Sequence, residues 1–210
     1  MIFINKGKEP NSLTQYKKQF NARFDNLPSD VKNDLRNALL YEQGYVCAYC
    51  MRRIPERDQA CKIEHFSART LQNELKYGNL LACCSGGELN GVRTCDTFKG
   101  NRVLHLNPQN LNDMNSISYR HDGTITSSMP YKNELSDLLN LNCEQLKLDR
   151  KQVIKNLEEL LYRKLKNNNN RRYYLNTLLK HYKSRDEDNK FGSYIGVYIW
   201  YLEKKLRSLS

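Results

Sequence analysis

The 210-residue sequence has no apolar run that approaches the roughly 20 residues needed to cross a bilayer. Its first ten residues, MIFINKGKEP, lack the basic and then apolar segments of a signal peptide. We therefore expect a cytoplasmic protein without a membrane partner. The seven cysteines would be poor material for disulfides in that reducing compartment. These absences exclude a secreted disulfide scaffold from the expected classes.

Positive charge is unevenly distributed along the chain. The formal net charge is +11, and residues 145–210 contain 16 Lys and Arg against 7 Asp and Glu. A basic field of this kind attracts phosphate backbones, anionic membranes and acidic proteins alike. It is also the ordinary composition of a solvated helical face. The charge therefore indicates a basic C-terminal region without choosing its partner.

Hydrophobic periodicity and turn residues predict an α+β fold in three segments. Residues 1–44 are expected to form an N-terminal helical segment before the core, with an amphipathic helix that begins at Ser29 and ends at Gly44. Residues 45–131 contain short segments separated by glycine and cysteine, which indicates the core that holds the site. Residues 132–210 repeat apolar residues with a period of 3.6, which predicts a basic helical subdomain.

Further elements can be placed within these segments. Alternating residues on both sides of an Asp-Gly pair predict a β-hairpin over 117–126. One helix is expected over 13–24, and the last helix of the chain is expected over 193–206. The asparagine-rich tract 167–170 interrupts the helical series, because asparagine side chains compete for backbone hydrogen bonds.

Two groups of cysteines have the spacing of a zinc site. Cys47 and Cys50 form a CxxC turn, in which two thiolates can bind one tetrahedral ion. Cys84 and Cys95 supply the second pair, and Cys83 is the alternative to Cys84. The sequence therefore predicts a structural Zn²⁺ site. The competing interpretation is that some of these cysteines are small buried hydrophobes.

Residues suited to phosphodiester cleavage lie between and after the cysteines. Such a reaction needs a base, a divalent cation that neutralises charge on the phosphate, and a group that holds the base in the right tautomer. One imidazole, two carboxylates and one amide meet this need: His65, Glu64, Asp96 and Asn79. Lys99 follows three residues after Asp96 on the same side of a helix, where it could bind phosphate. The alternative is an exposed lysine near a helix end.

The order CxxC, Glu-His, Asn-Leu-Leu, Cys and Cys-Asp-x-x-Lys-Gly resembles the HNH endonuclease module over residues 45–102. That resemblance implies a zinc-braced ββα-metal core, in which a hairpin and a helix clasp one catalytic ion. It implies that His65 is the general base and that Asn79 orients it. It also implies that Glu64 and Asp96 bind the ion. Asp at position 96, where the family commonly has His or Asn, makes the site more anionic and favours Mg²⁺ or Mn²⁺.

A narrower resemblance extends into the helical tail. Segments 139–142, 148–150 and 196–205 are similar to the HNH subunits, called PtuB, of Septu-type and retron-associated anti-phage systems. The resemblance implies that the chain is a nuclease effector that works with an ABC or SMC-like ATPase of the PtuA type. It further implies a nucleic acid substrate and, in a retron system, a reverse transcriptase with its DNA and RNA product.

Three questions stay open at this level. The substrate is DNA or, for a retron effector, RNA such as a transfer RNA. The alternative of another class is a zinc-containing nucleic-acid-binding module without catalysis. The tail either docks on the ATPase through its aromatic residues, Trp200 among them, which we favour, or grips nucleic acid through its basic ones. His105 and His121 lie outside the motif and receive no role.

Overall fold

A computed structural model of the chain describes residues 1–56, 60–86, 91–166 and 170–209. These residues combine helices with two small antiparallel sheets, which confirms a mixed α+β architecture. No helix among them is long and apolar enough to cross a membrane. In chain order the elements are α1 (Asn11–Tyr16), α2 (Ser29–Gln43), β1 (Cys61–His65), β2 (Leu80–Cys84), α3 (Cys95–Lys99), α4 (Leu111–Asn115), β3 (Ile117–Tyr119), β4 (Ile125–Ser127), α5 (Glu134–Asp137), α6 (Glu144–Leu165), α7 (Arg171–Lys183) and α8 (Ile195–Arg207).

The two sheets are separate two-stranded ladders. β1 pairs with β2 so that Cys61 lies opposite Cys84 and His65 lies opposite Leu80. β3 pairs with β4 and forms the hairpin that the Asp-Gly pair predicts. The turn of that hairpin needs glycine at Gly123, because its φ is +85° and a Cβ would lie 1.9 Å from the carbonyl oxygen of Lys147.

α2 begins and ends as the sequence predicts, and it positions the strand beneath it. The helix ends at Gly44, which has a φ of +64° and allows the left-handed turn of a helix C-terminus. The buried Gln43 side chain accepts a hydrogen bond from the Ala82 N–H (2.8 Å) and donates one to the Ala82 carbonyl (2.8 Å). α2 therefore fixes β2, the strand that contains Cys84.

One predicted helix is corrected, and the helical series is interrupted near the asparagine tract as predicted. The first helix ends at Tyr16 rather than near residue 24, because only Leu13 and Tyr16 are buried and Phe20 is fully exposed, so no apolar stripe continues the helix. Of the asparagine tract, residues 167–169 lie outside the described residues. α6 ends at Leu165, and the Asn170 side chain accepts a hydrogen bond from the Tyr173 N–H at the start of α7.

The helical tail packs on the rest of the chain. One hydrophobic cluster contains residues from all three predicted segments, such as Leu39, Leu81 and Leu202. Arg150 of α6 is buried and donates to the carbonyl oxygens of Gly123 and Leu141, both at 2.7 Å. The tail and the site-bearing residues therefore share a core.

Candidate active site and metal centre

The CxxC turn is held by backbone hydrogen bonds. The Cys47 N–H donates to the Arg52 carbonyl (3.0 Å), and the Met51 N–H donates back to the Cys47 carbonyl (3.1 Å). Met51 has a φ of +64°, which closes the turn. Both thiols of the turn, on Cys47 and Cys50, are buried. The turn therefore presents two sulfurs to the same point inside the protein.

Four buried sulfurs meet at that point. The Cys47 and Cys95 Sγ atoms are 3.8 Å apart, the Cys50 and Cys84 Sγ atoms are 3.8 Å apart, and all four lie within 4.8 Å of one another. A tetrahedron with Zn–S bonds of about 2.3 Å has sulfurs roughly 3.8 Å apart. Four cysteine sulfurs converge at one buried point, and the Arg52 guanidinium approaches from one side (3.8 Å from Nη2 to the Cys84 Sγ), so this group could bind a structural metal such as zinc.

Cys83 does not belong to the four-sulfur group, although it is the neighbour of Cys84 in β2. Cys83 is fully buried, and burial raises the pKa of its thiol to about 12. It is therefore a neutral thiol at physiological pH. Cys95, the last member of the group, has a φ of +55°, and its N–H donates to the Leu139 carbonyl (2.9 Å). Its backbone is therefore fixed independently of its sulfur.

An acidic pair lies next to the sulfur group, on strand β1 and helix α3. Glu64 belongs to β1 and is 4% exposed, whereas Asp96 follows Cys95 in the first turn of α3 and is half-buried. Burial, and then the neighbouring Asp96 carboxyl, raise the pKa of Glu64 to about 8, against the opposing effect of the Lys99 ammonium. The Tyr49 hydroxyl donates to Glu64 Oε1 at 3.0 Å. The two carboxyls therefore interact directly inside the protein.

The position of Lys99 corrects the expectation that it binds substrate phosphate. The side chain is only 2% exposed, and its ammonium lies 2.7 Å from Glu64 Oε1. It also donates to the carbonyl oxygens of His65 (3.2 Å) and Gly100 (3.3 Å). A buried ammonium needs a charged partner and hydrogen-bond acceptors, and Lys99 has both here. All three of its donors are therefore directed into the protein.

His65 is half-buried at the end of β1. Its Nε2 donates to the Glu74 carbonyl (2.9 Å), and its ring lies edge-on to Phe24 with 4.5 Å between ring centroids. A carbonyl oxygen can only accept, so the neutral ring carries its proton on Nε2 and leaves Nδ1 as the basic nitrogen. Burial lowers the pKa of His65 below its ordinary value. The imidazole is therefore neutral at physiological pH and oriented.

Asn79 contacts the backbone near His65 instead of the imidazole. Its Oδ1 accepts from the Ser67 N–H (2.8 Å), and its Nδ2 donates to the Ser67 carbonyl (3.2 Å). Its own carbonyl accepts from the Phe66 N–H (2.9 Å). Asn79 therefore fixes the chain that leaves β1, and the Glu74 carbonyl holds the tautomer of His65.

The structure thus brings together the four cysteines, Glu64, Asp96 and Lys99, with His65 beside them. Three contributors to the site are absent from the sequence-based prediction: Tyr49, Glu74 and Phe24. Tyr49 could have been suspected, because it lies inside the CxxC turn, whereas the other two belong to loops without a motif. His105 pairs with Glu134 (2.5 Å) and His121 pairs with Glu158 (3.1 Å), both on the surface.

Comparisons with protein-family models and with curated proteins found no match for the chain. Among the described residues, the four cysteines are the one group of three or more Cys, His, Asp or Glu side chains close enough to share an ion. The function is therefore argued from the site and from the motif order.

Proposed function

We propose that the chain is a metal-dependent endonuclease of the HNH type, which hydrolyses phosphodiester bonds of nucleic acid. The observation that carries the proposal is the neutral, oriented imidazole of His65 beside the Glu64–Asp96 pair. This combination supplies a base and an anionic site on two neighbouring elements, β1 and α3. A purely structural histidine would need neither the fixed tautomer nor the adjacent acidic pair.

The arrangement of elements supports the same proposal. Strand β1 contains Glu64 and His65, β2 pairs with it, and helix α3 follows with Asp96 in its first turn. This is a hairpin and a helix around one acidic centre, as in the ββα-metal module. Cys95 precedes Asp96 directly, so a zinc ion in the sulfur group would fix the carboxylate next to it.

Each residue of the proposed site would have one task in phosphodiester hydrolysis. His65 Nδ1 would accept a proton from the attacking water, while the Glu74 carbonyl keeps the opposite nitrogen protonated. Mg²⁺ or Mn²⁺, when bound by Glu64 and Asp96, would neutralise charge on the scissile phosphate. Carboxylate oxygens are the ligands that such hard ions prefer, although the Lys99 ammonium already contacts Glu64.

Substitution of His65 tests the proposal. In the zinc-loaded protein, His65→Ala should lower the rate of nucleic acid cleavage by about 10²–10⁴-fold, because the general base is lost. The matched control is His105→Ala, which removes an exposed histidine that pairs with Glu134 and should leave cleavage unchanged. Cleavage at the wild-type rate by His65→Ala would overturn the proposal.

The substrate and the biological setting extend the proposal. Chemistry at a phosphate is common to DNA and RNA, so the assay should offer duplex DNA, single-stranded DNA and total RNA that includes transfer RNA. Cleavage of transfer RNA alone would favour the retron effector. Binding without any cleavage, in wild type and His65→Ala alike, would favour the non-catalytic zinc module.

The proposed partner is an ATPase of the ABC or SMC-like class, in an anti-phage complex, as the resemblance to PtuB implies. The exposure of the aromatic residues in the tail guides the choice of anchors that we propose. Trp200 lies against Tyr119 with 5.6 Å between ring centroids, and Tyr201 is buried. Tyr162 of α6 and Tyr173 of α7 are 70% and 68% exposed. We therefore propose that these two exposed tyrosines, rather than Trp200, anchor a partner.

A further inference from the structure

The acidic pair of the site already has a cation, and the protein supplies it. Lys99 and Glu64 are 2% and 4% exposed, and their charged atoms are 2.7 Å apart. Two donors, the Lys99 ammonium and the Tyr49 hydroxyl, converge on the same oxygen, Glu64 Oε1. Asp96 lies beside Glu64 and adds a second negative group. One ammonium therefore balances one of the two negative charges that would attract a divalent ion.

A divalent ion would compete with the Lys99 ammonium for the Glu64 carboxylate. A carboxylate oxygen has two lone pairs, and those of Glu64 Oε1 are used by Lys99 and Tyr49. An ion on the other oxygen would lie close to the ammonium in a buried environment, where repulsion between like charges is strong. Lys99 also reaches two carbonyl oxygens, so its present position is well satisfied.

We propose that the ammonium of Lys99 is a built-in competitor for the divalent ion, which binds Glu64 and Asp96 only when Lys99 leaves. This inference rests on the proposed function, since it describes regulation of that same site. Lys99 ends the single-turn helix α3, and Gly100 follows it. Its four-carbon side chain can therefore move without disturbing Cys95 at the other end of that turn.

The test is a calorimetric titration of zinc-loaded protein with Mn²⁺ at pH 8 in the absence of nucleic acid. Lys99→Met should bind one Mn²⁺ about tenfold or more tightly than wild type, because a positive charge next to the ion is removed. Adding Glu64→Gln to Lys99→Met should abolish the gain. An affinity of Lys99→Met equal to or weaker than that of wild type would overturn the proposal.

The control variant removes a similar ion pair elsewhere. Lys6 is partly buried, pairs with Glu42 and donates to the Leu80 carbonyl (2.9 Å). Lys6→Met should therefore leave the Mn²⁺ affinity unchanged. If Lys99→Met fails to fold, Lys99→Gln keeps an N–H for the neighbouring carbonyls and should show the same gain. No cleavage is measured, so failure of this proposal is distinct from failure of the His65→Ala test.

Discussion

The sulfur group and the acidic pair share helix α3, yet a positive charge reaches them in different ways. Arg52 approaches the sulfur group from one side, where its Nη2 donates to the Cys84 Sγ at 3.8 Å. In the acidic pair, Lys99 supplies that charge from within the same helix turn. Thiolates at this spacing are matched by a soft ion such as zinc, whereas a carboxylate is matched equally well by an ammonium or a hard ion. Adjacent sites can therefore differ in how strongly they depend on metal.

Loss of a sulfur should have the largest effect. Cys95→Ser should reduce the zinc content from about one per chain to near zero and leave the protein unfolded or insoluble, because metal binding at such sites is coupled to folding. Metal analysis and circular dichroism measure both effects. Cys83→Ala is the control and should keep its zinc, since Cys83 lies outside the sulfur group. A Cys95→Ser protein that keeps its zinc would contradict the zinc assignment, and a folded, zinc-free one would contradict the coupling of zinc to folding.

Loss of the Asn79 amide should have an intermediate effect. Asn79→Ala should lower the free energy of unfolding by about 1–3 kcal/mol, because the Ser67 N–H and carbonyl lose their partners. Urea denaturation measures that loss. Asn142 is a matched control, since it bonds in the same way to both backbone groups of Ile125 (2.9 and 3.0 Å).

The two asparagine variants separate stability from positioning. Both should destabilise the protein by similar amounts, but only Asn79→Ala should lower kcat, because Asn79 fixes the chain next to His65. Equal kcat values for the two variants would show that Asn79 has no positioning role.

The pH dependence of cleavage should give the smallest effect. Burial lowers the pKa of His65, so the imidazole stays neutral and basic below the ordinary value near 6.5. The limb of kcat/KM that His65 sets should therefore lie below pH 6.5, apart from any limb that the Glu64 carboxyl sets near its raised pKa of about 8. The unfolded chain takes up this proton first, so the contribution of His65 to stability should also fall as the pH drops through 6.5.

Substitution of Phe24 should shift the acidic limb of kcat/KM that His65 sets. The Phe24 ring covers the edge of the imidazole, so Phe24→Ala should expose His65 and shift the acidic limb up towards 6.5. A pKa at or above 6.5 for the wild-type His65 ring, measured by NMR titration, would show that burial of His65 does not govern its titration.

The sequence predicts those parts of the site that depend on local spacing. The CxxC turn, the end of α2 at Gly44 and the hairpin turn at Gly123 each follow from a few neighbouring residues. The sequence also places Glu64 and Asp96 on a strand and a helix that come together. For these elements the local backbone requirement is strong enough to fix the conformation without knowledge of the packing.

The sequence could not predict which side chains are buried around the site. Lys99 has the spacing of an exposed helical lysine, and only the packing of α3 against the hairpin shows that it faces Glu64. Glu74 contributes to the site through its backbone carbonyl, which no residue pattern reveals. Trp200 and Phe24 likewise acquire their neighbours from distant parts of the chain. Their roles depend on tertiary contacts, which local propensity does not encode.

During synthesis, the sulfur group cannot be completed until its last cysteine has been added to the chain. Cys47 and Cys95, whose sulfurs are 3.8 Å apart in the fold, are separated by 48 positions in the chain. At ribosomal rates of about 5–20 residues per second, Cys95 is added roughly 2–10 s after Cys47. During most of that interval only the two sulfurs of the CxxC turn have been made, and Cys84 adds the third shortly before Cys95. The nascent chain therefore completes its four-sulfur group late, after the whole β1–β2 hairpin has been made.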